Sequence, residues 1–217
     1  MGFSRARTNE QKQQRIDAVV KATAHLYDTV SYDDITFAAI AKETGFARSN
    51  LYIYFTSKEE ILLELLIHDL RSWSEDIGEA FHVRKSYTVE EVAEGWTNAY
   101  LKNKRLLSLL AILFTVLEKN VSTEALAQFK RKMMEVQHRV LELLGGLLPS
   151  IHEEVLEQFL INQLALVQGL YPMAFITERQ KQAIEESGTG YVAPEFASSY
   201  LNVITALLKN LNKESIS

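Results

Sequence analysis

The residue types that could do recognition chemistry gather in Ile35–Leu62, which reads ITFAAIAKETGFARSNLYIYFTSKEEIL. Arg48 carries a guanidinium that pairs bidentately with guanine, and Asn50 a carboxamide that does the same with adenine. Each such pair is worth about 1–3 kcal/mol of base discrimination. Ala47 and Ser49 are small enough to meet a groove floor or a thymine methyl, and Tyr52 and Tyr54 add phenolic donors. Thr36 and Lys58 fall at two expected helix starts, where backbone N–H groups, a hydroxyl or an ammonium can meet phosphate. Further upstream, Arg5 and Arg7 suit a basic arm along the backbone or minor groove, or equally an inert tail.

The surrounding pattern can position these groups. Ile40 and Ala41 give a short helix from about Thr36 to Glu43 one apolar face, and the small Ala39 and Ala41 allow a close helix crossing. Glu43–Phe46 contains Gly45 just where a helix-turn-helix needs a tight turn. In the next helix, about Arg48 to Tyr54, Leu51 and Phe55 fall one turn apart and are expected to face inward. A helix anchored on one side and hydrogen-bonding on the other fits a major groove about 12 Å wide. An ordinary surface helix has the same pattern.

Before this pair, apolar residues at Ile16, Val19, Val20, Leu26 and Tyr27 predict a helix starting near Asn9, with Thr8 and Gln11 as a capping box. After it, Ser57 followed by Glu59 and Glu60 opens a long helix. Together these features, over residues 9–66, resemble the TetR family of bacterial transcriptional regulators. The resemblance is carried by the long first helix, Ile40-Ala41, Gly45, Leu51, Tyr52, Phe55 and the SKEEIL run of Ser57–Leu62. Two positions depart from it: Tyr54 stands where the family often has His, and Ser49 where many members have Gly. The resemblance implies that Tyr52 and Tyr54 hold backbone phosphates, and that the protein is a homodimeric, ligand-responsive repressor.

The rest of the chain supports an all-α fold: a DNA-binding domain over 1–56 and a ligand-binding and dimerisation domain over 57–217. Further helices are expected at about 88–102, 104–119, 123–147, 152–177 and 195–212, with 177–194 as a loop that has room for a short helical piece. The last two helices are apolar nearly all round, so each must bury a second face. With the resemblance, this implies a four-helix interface between two copies; burial within one subunit is the alternative. Polar or aromatic groups set in apolar helices are candidate ligand contacts: Trp96, Tyr100, Phe114, His138, Asn162, Gln163, Gln168 and Tyr171. Internal hydrogen bonds would also account for them.

Composition removes other classes. With 217 residues, 47% hydrophobic content, 3 Pro and 0 Cys, the chain is neither low-complexity nor able to form disulfides or thiolate metal sites. The five histidines lack metal-ligand spacing, no phosphate-binding glycine loop or nucleophile elbow occurs, and neither cofactor, metal nor enzymatic activity is expected. Met1–Ile16 is polar and basic without an apolar core, and the longest apolar run, Leu106–Leu117, is too short to span a bilayer. A cytoplasmic location without membrane contact is therefore expected. The net charge is −5, yet residues 1–25 carry five basic side chains against Glu10 and Asp17. A basic end on an acidic chain suits a polyanionic partner, double-stranded DNA. Control by a protein partner instead of a small molecule, or a helical scaffold role, would fit the same composition.

Overall fold

The computed structural model describes residues 9–81 and 87–214, and all regular structure among them is helical. The α-helices are α1 (Asn9–Thr29), α2 (Phe37–Thr44), α3 (Arg48–Leu51), α4 (Lys58–Ala80) and α5 (Val89–Lys102). They continue as α6 (Lys104–Ile112), α7 (Thr123–Leu147), α8 (Glu153–Ala174), α9 (Glu178–Ser187) and α10 (Phe196–Glu214). Thr8 of the expected capping box lies outside the described residues.

Three local departures from the sequence reading have physical causes. Tyr32–Asp34 forms a short 3-10 turn between α1 and α2, closed by Asp34 N–H to Ser31 O and Ile35 N–H to Tyr32 O. The expected single helix over 104–119 is α-helical only to Ile112, then a π turn at Leu113–Leu117 and a 3-10 turn at Glu118–Asn120. The stretch after Thr177, read as a loop with room for a short helical piece, is helical over the ten residues of α9. Thr177 and Gln180 form a reciprocal capping box there, and Gly188 ends the helix at φ 62°, in the left-handed region that favours glycine. Pro172 sits inside α8, which ends two residues later at Ala174.

The chain forms two compact units, and the boundary between them falls inside α4, between His68 and Asp69. The first comprises Met1–His68 with Leu113–Lys132. Its buried side chains include Val19, Ile35, Phe37, Ile40, Leu51, Phe55 and Ile61. The start of α4 is fixed by a polar knot. Ser57 Oγ accepts the Glu60 N–H at 3.2 Å, while Thr56 N–H and Oγ1 donate to the two Glu60 carboxylate oxygens, both at 2.7 Å. Ser122, just ahead of α7, donates to Glu60 Oε1 at 3.3 Å. Glu64 is paired with Lys132 at 2.6 Å.

The second unit comprises Asp69–Ile112 with Met133–Ser217. Here α10 packs on α5 and α8, and α6 packs on α8. Arg105 holds the buried Asp69 through a bidentate pair, Nε to Oδ2 and an Nη to Oδ1, both 2.8 Å. Such a fork fixes orientation as well as charge.

Candidate functional site

In the first unit, α2 starts at Thr36, whose side chain accepts the Ala39 N–H at 3.2 Å and so keeps a hydroxyl proton to donate. It ends at Gly45, which is left-handed at φ 69°. The expected recognition helix is shorter as an α-helix than its sequence pattern: α3 ends at Leu51, and Ile53 and Tyr54 continue it with tighter bonds to Asn50 O and Leu51 O. Leu51 and Phe55 are buried, as their spacing predicts. Ala47, Arg48, Ser49, Tyr52 and Thr36 are exposed; Asn50, Tyr54 and Lys58 are half-buried. The structure therefore brings eight of the sequence-derived DNA-contact candidates into one unit around an anchored short helix. Arg5 and Arg7 lie outside the described residues. Ile53, 62% exposed between the two tyrosines, was not singled out by its sequence context, because an apolar side chain in a helix reads as core.

Side-chain contacts organise this surface further. The Tyr52 ring stacks on Phe37 with centroids 4.5 Å apart and planes 6° from parallel, which brings the end of α3 beside the start of α2. Arg48 Nη2 donates to Tyr52 Oη at 3.1 Å. Lys58, the first residue of α4, donates to Tyr32 O at 2.7 Å and lies 3.8 Å above the Tyr32 ring. An ammonium has three protons, so this leaves Lys58 donors for an anion. The Tyr32 hydroxyl donates to Glu59 Oε1. Burial first, and then this bond to a carboxylate, push the Tyr32 phenol well above its ordinary range, so it remains a donor at any physiological pH.

The second unit holds a polar–aromatic cluster. Tyr100 and Tyr200 both donate their hydroxyls to Gln163 Oε1, at 2.9 and 3.0 Å. Trp73 meets Trp96 edge-on at 5.1 Å and Tyr100 at 4.8 Å; Trp96 in turn meets Phe159 at 5.4 Å. Burial pushes the Tyr100 and Tyr200 phenols up, and for Tyr200 the neighbouring Tyr100 adds to the rise while the Trp96 indole opposes it. That indole does not reach hydrogen-bonding geometry: Trp73 Nε1 and Trp96 Nε1 are both buried without an acceptor among the described residues. A buried donor left unpaired costs about 1–3 kcal/mol.

Of the candidate ligand contacts, Trp96, Tyr100 and Gln163 join this cluster, whereas Trp73 and Tyr200 were not singled out because they read as ordinary core aromatics. Tyr171 packs on Phe175 at 4.6 Å, and Gln168 donates to Leu110 O at 3.1 Å. The other three candidates lie elsewhere. His138 is exposed beside Glu142, Asn162 is exposed and bonded by Gln158, and Phe114 is in the first unit, under Lys130. Their helices bury the neighbouring apolar positions and turn these three outward.

A helix-turn-helix with an outward hydrogen-bonding face, in one chain with a second all-helical unit, defines a DNA-binding transcription regulator. Residues 68–213 match the model described as the tetracyclin repressor-like C-terminal domain, and residues 19–65 the model for bacterial regulatory proteins of the tetR family. The chain belongs to the TetR family. No curated protein matches its sequence. Solved structures share the fold at low identity. A candidate transcriptional regulator from Rhodococcus sp. RHA1 is 14% identical, with 90% of this chain and 94% of that one covered and a TM-score of 0.59. The fatty acid degradation regulator FadR from Bacillus halodurans is 20% identical, with 89% and 94% covered and a TM-score of 0.51. A TetR/AcrR family regulator from Thermobifida fusca YX-ER1 is 18% identical, with 91% and 97% covered and a TM-score of 0.50.

The double acceptance at Gln163 makes a direct prediction. Gln163→Leu strands two buried hydroxyls and should lower stability by about 2–4 kcal/mol in urea unfolding. A loss under about 1 kcal/mol would show that Tyr100 and Tyr200 find other acceptors.

Proposed function

We propose that the protein is a homodimeric, sequence-specific repressor that occupies a palindromic operator and is released by a small-molecule effector. The observation that carries the DNA-reading part is the anchored recognition helix, with Leu51 and Phe55 buried while Arg48, Ser49 and Tyr52 face solvent. Arg48 and Asn50 read base edges, and Ala47 and Ser49 lie against the groove floor or a thymine methyl. Thr36, Tyr54 and Lys58 hold phosphates, Tyr52 lies beside Arg48 on the DNA-facing side, and Arg5 and Arg7 form a basic arm. Residues 1–56 form the reading domain, and 57–217 the domain for effector and partner copy. The protein acts by binding, not catalysis, in the cytoplasm.

Dimerisation is supported by an exposed stripe on α8. Ile161, Ala165, Gly169 and Met173, spaced four residues apart along one ridge, are all exposed. On α10, Val203 and Ala206 are exposed and Leu207 is half-buried. Apolar residues with small ones between them suit a second pair of helices packing at about 8–10 Å. Two copies would then present two recognition helices one helical turn of DNA apart, about 34–36 Å.

Effector control is supported by the Trp73–Trp96 cluster. Its two unpaired N–H donors favour an apolar effector that carries a hydrogen-bond acceptor. Trp96, Tyr100 and Tyr200 are shut from solvent, so this packing and an effector between the rings exclude one another. An effector that binds only an opened arrangement has the differential affinity that a population shift requires.

The decisive experiment is selection of bound sequences from a random duplex pool by the purified protein. An enriched palindrome is expected. On that duplex, Lys58→Ala should weaken all sequences alike and reduce the salt slope by about 0.9, the share of one phosphate contact. Enrichment of a single half-site, or of nothing, would overturn the dimeric reading. Gly169 has open space where a Cβ would stand, so Gly169→Arg should leave the subunit folded yet convert dimer to monomer in light scattering. A variant that stays dimeric would move the interface elsewhere. Because Trp73 and Trp96 are the chain's only tryptophans, its indole fluorescence reports this cluster alone. Compounds that release the operator should change that emission in proportion; release with unchanged emission would place the effector elsewhere, or point to control by a protein partner.

A further inference from the structure

Tyr52 is half exposed, at 51%, yet its ring is not free to turn, because it is stacked face to face on Phe37, a buried residue of α2. One helical turn earlier, Arg48 lies on the same side of the chain. Its Nη2 donates to the Tyr52 hydroxyl at 3.1 Å, and its Cζ is 5.7 Å from the centre of the Tyr52 ring. Arg48 pairs with no carboxylate among the described residues; the phenol is what holds it. The order of support therefore runs from the core of the unit to Phe37, from Phe37 to Tyr52, and from Tyr52 to Arg48.

We propose that Tyr52 is a positioning residue for Arg48, fixing the guanidinium in one rotamer before DNA arrives and so setting how sharply the recognition helix discriminates the base that Arg48 meets. This rests on the reading of Arg48 as a base reader given above. It assigns Tyr52 a task distinct from holding phosphate.

An exposed arginine samples many rotamers, and a base-reading bond must select one at the moment of binding. A loose guanidinium also swings away from a wrong base and recovers its bonds to water. A tethered one cannot, so the wrong base leaves donors unpaired. Tethering thus favours the right base and penalises the wrong one, whereas a phosphate contact adds the same affinity to every sequence. Tyr52 supplies the tether without charge, so it leaves Arg48 its cationic donors and adds nothing to the salt dependence.

The test compares wild type, Tyr52→Phe, Tyr52→Leu and Arg48→Ala on the selected operator and on its complete set of single-base variants, at two salt concentrations. Arg48→Ala identifies the base position that Arg48 reads. At that position alone, Tyr52→Phe, which keeps the stacked ring but loses the hydroxyl, should lower discrimination roughly threefold. Tyr52→Leu, which loses both, should lower it roughly tenfold. Salt slopes should not change in either Tyr52 variant, the unfolding midpoint should not change in Tyr52→Phe, which keeps the stack, and in the Arg48→Ala background neither Tyr52 substitution should alter base preference further. A uniform loss of affinity across all duplexes, additive with Arg48→Ala, would overturn the proposal in favour of a phosphate contact and leave the proposed function standing. An Arg48→Ala variant with intact base preference would overturn both this proposal and the assignment of Arg48, whereas failure to enrich any operator would strike the proposed function itself.

Discussion

The molecule's recognition surface depends on one constraint: a four-residue helix cannot hold itself together. Closing a first helical turn fixes several dihedrals for a single hydrogen bond, and isolated helices this short do not persist in water. What holds α3 is burial of Leu51 and Phe55, both nearly inaccessible. Burying such side chains is worth about 1.5–3 kcal/mol each. Everything that faces outward from α3 inherits its geometry from those two. The stack of Tyr52 on Phe37 then ties the open end of the turn to α2. Gly45 lets the chain reverse between the helices without strain.

The start of α4 extends the same logic. Glu60 is nine-tenths buried, and three donors converge on its carboxylate: Thr56 N–H, Thr56 Oγ1 and Ser122 Oγ. A buried carboxylate is tolerable only when its lone pairs are filled this way. The arrangement makes Thr56, which follows the recognition turn directly, part of the rigid start of a 23-residue helix. It also recruits Ser122 from a segment far along the chain, and explains why Leu113–Lys132 belongs to the compact unit that carries the helix-turn-helix. Sequence alone pairs residues within a helix by spacing. It offers no spacing rule for a contact across 62 positions.

That contrast governs how much was readable from sequence. Ile40, Gly45, Leu51 and Phe55 were legible because each obeys a local rule: apolar periodicity, or a left-handed residue at a helix end. The helices of the second unit were legible for the same reason. α9 had a local signature, the Thr177–Gln180 capping box, but its polar composition and the following Gly188 and Gly190 left it legible only as a loop with room for a short helical piece. The polar–aromatic cluster was half legible. Trp96, Tyr100 and Gln163 stand out as polar-bearing groups in apolar helices, but Tyr200 joins them only through the packing of α10 on α5 and α8, and Trp73 only through the contact of its ring, on α4, with Trp96 and Tyr100 of α5. The outward turn of His138 and Asn162 is likewise decided by which neighbours α7 and α8 bury.

An acidic chain with 8 basic and 8 acidic side chains in residues 1–60 looks ill suited to a polyanion. What matters is where the acids lie: none falls in Ala47–Ser57, and the two at the start of α4 are turned inward. Glu59 and Glu60 are both buried, one taking the Tyr32 hydroxyl and the other the Thr56 and Ser122 donors. Glu43 is paired with His25 at 2.9 Å, and Asp34 takes the Ser31 hydroxyl at 2.6 Å. Arg48 and Lys58 are held instead by a phenol and by a carbonyl with a ring face, partners that leave their positive charge intact. Coulomb interactions across exposed surface are screened within about 8–10 Å, so the balance beside α3, where Ala47–Ser57 carries Arg48 and no acidic side chain, outweighs the whole-chain sum. On the proposed reading, a surface with so few fixed cations would make few phosphate contacts. More of its selectivity would then come from the placement of individual donors, and that is where the proposed order of support from Phe37 through Tyr52 to Arg48 would act.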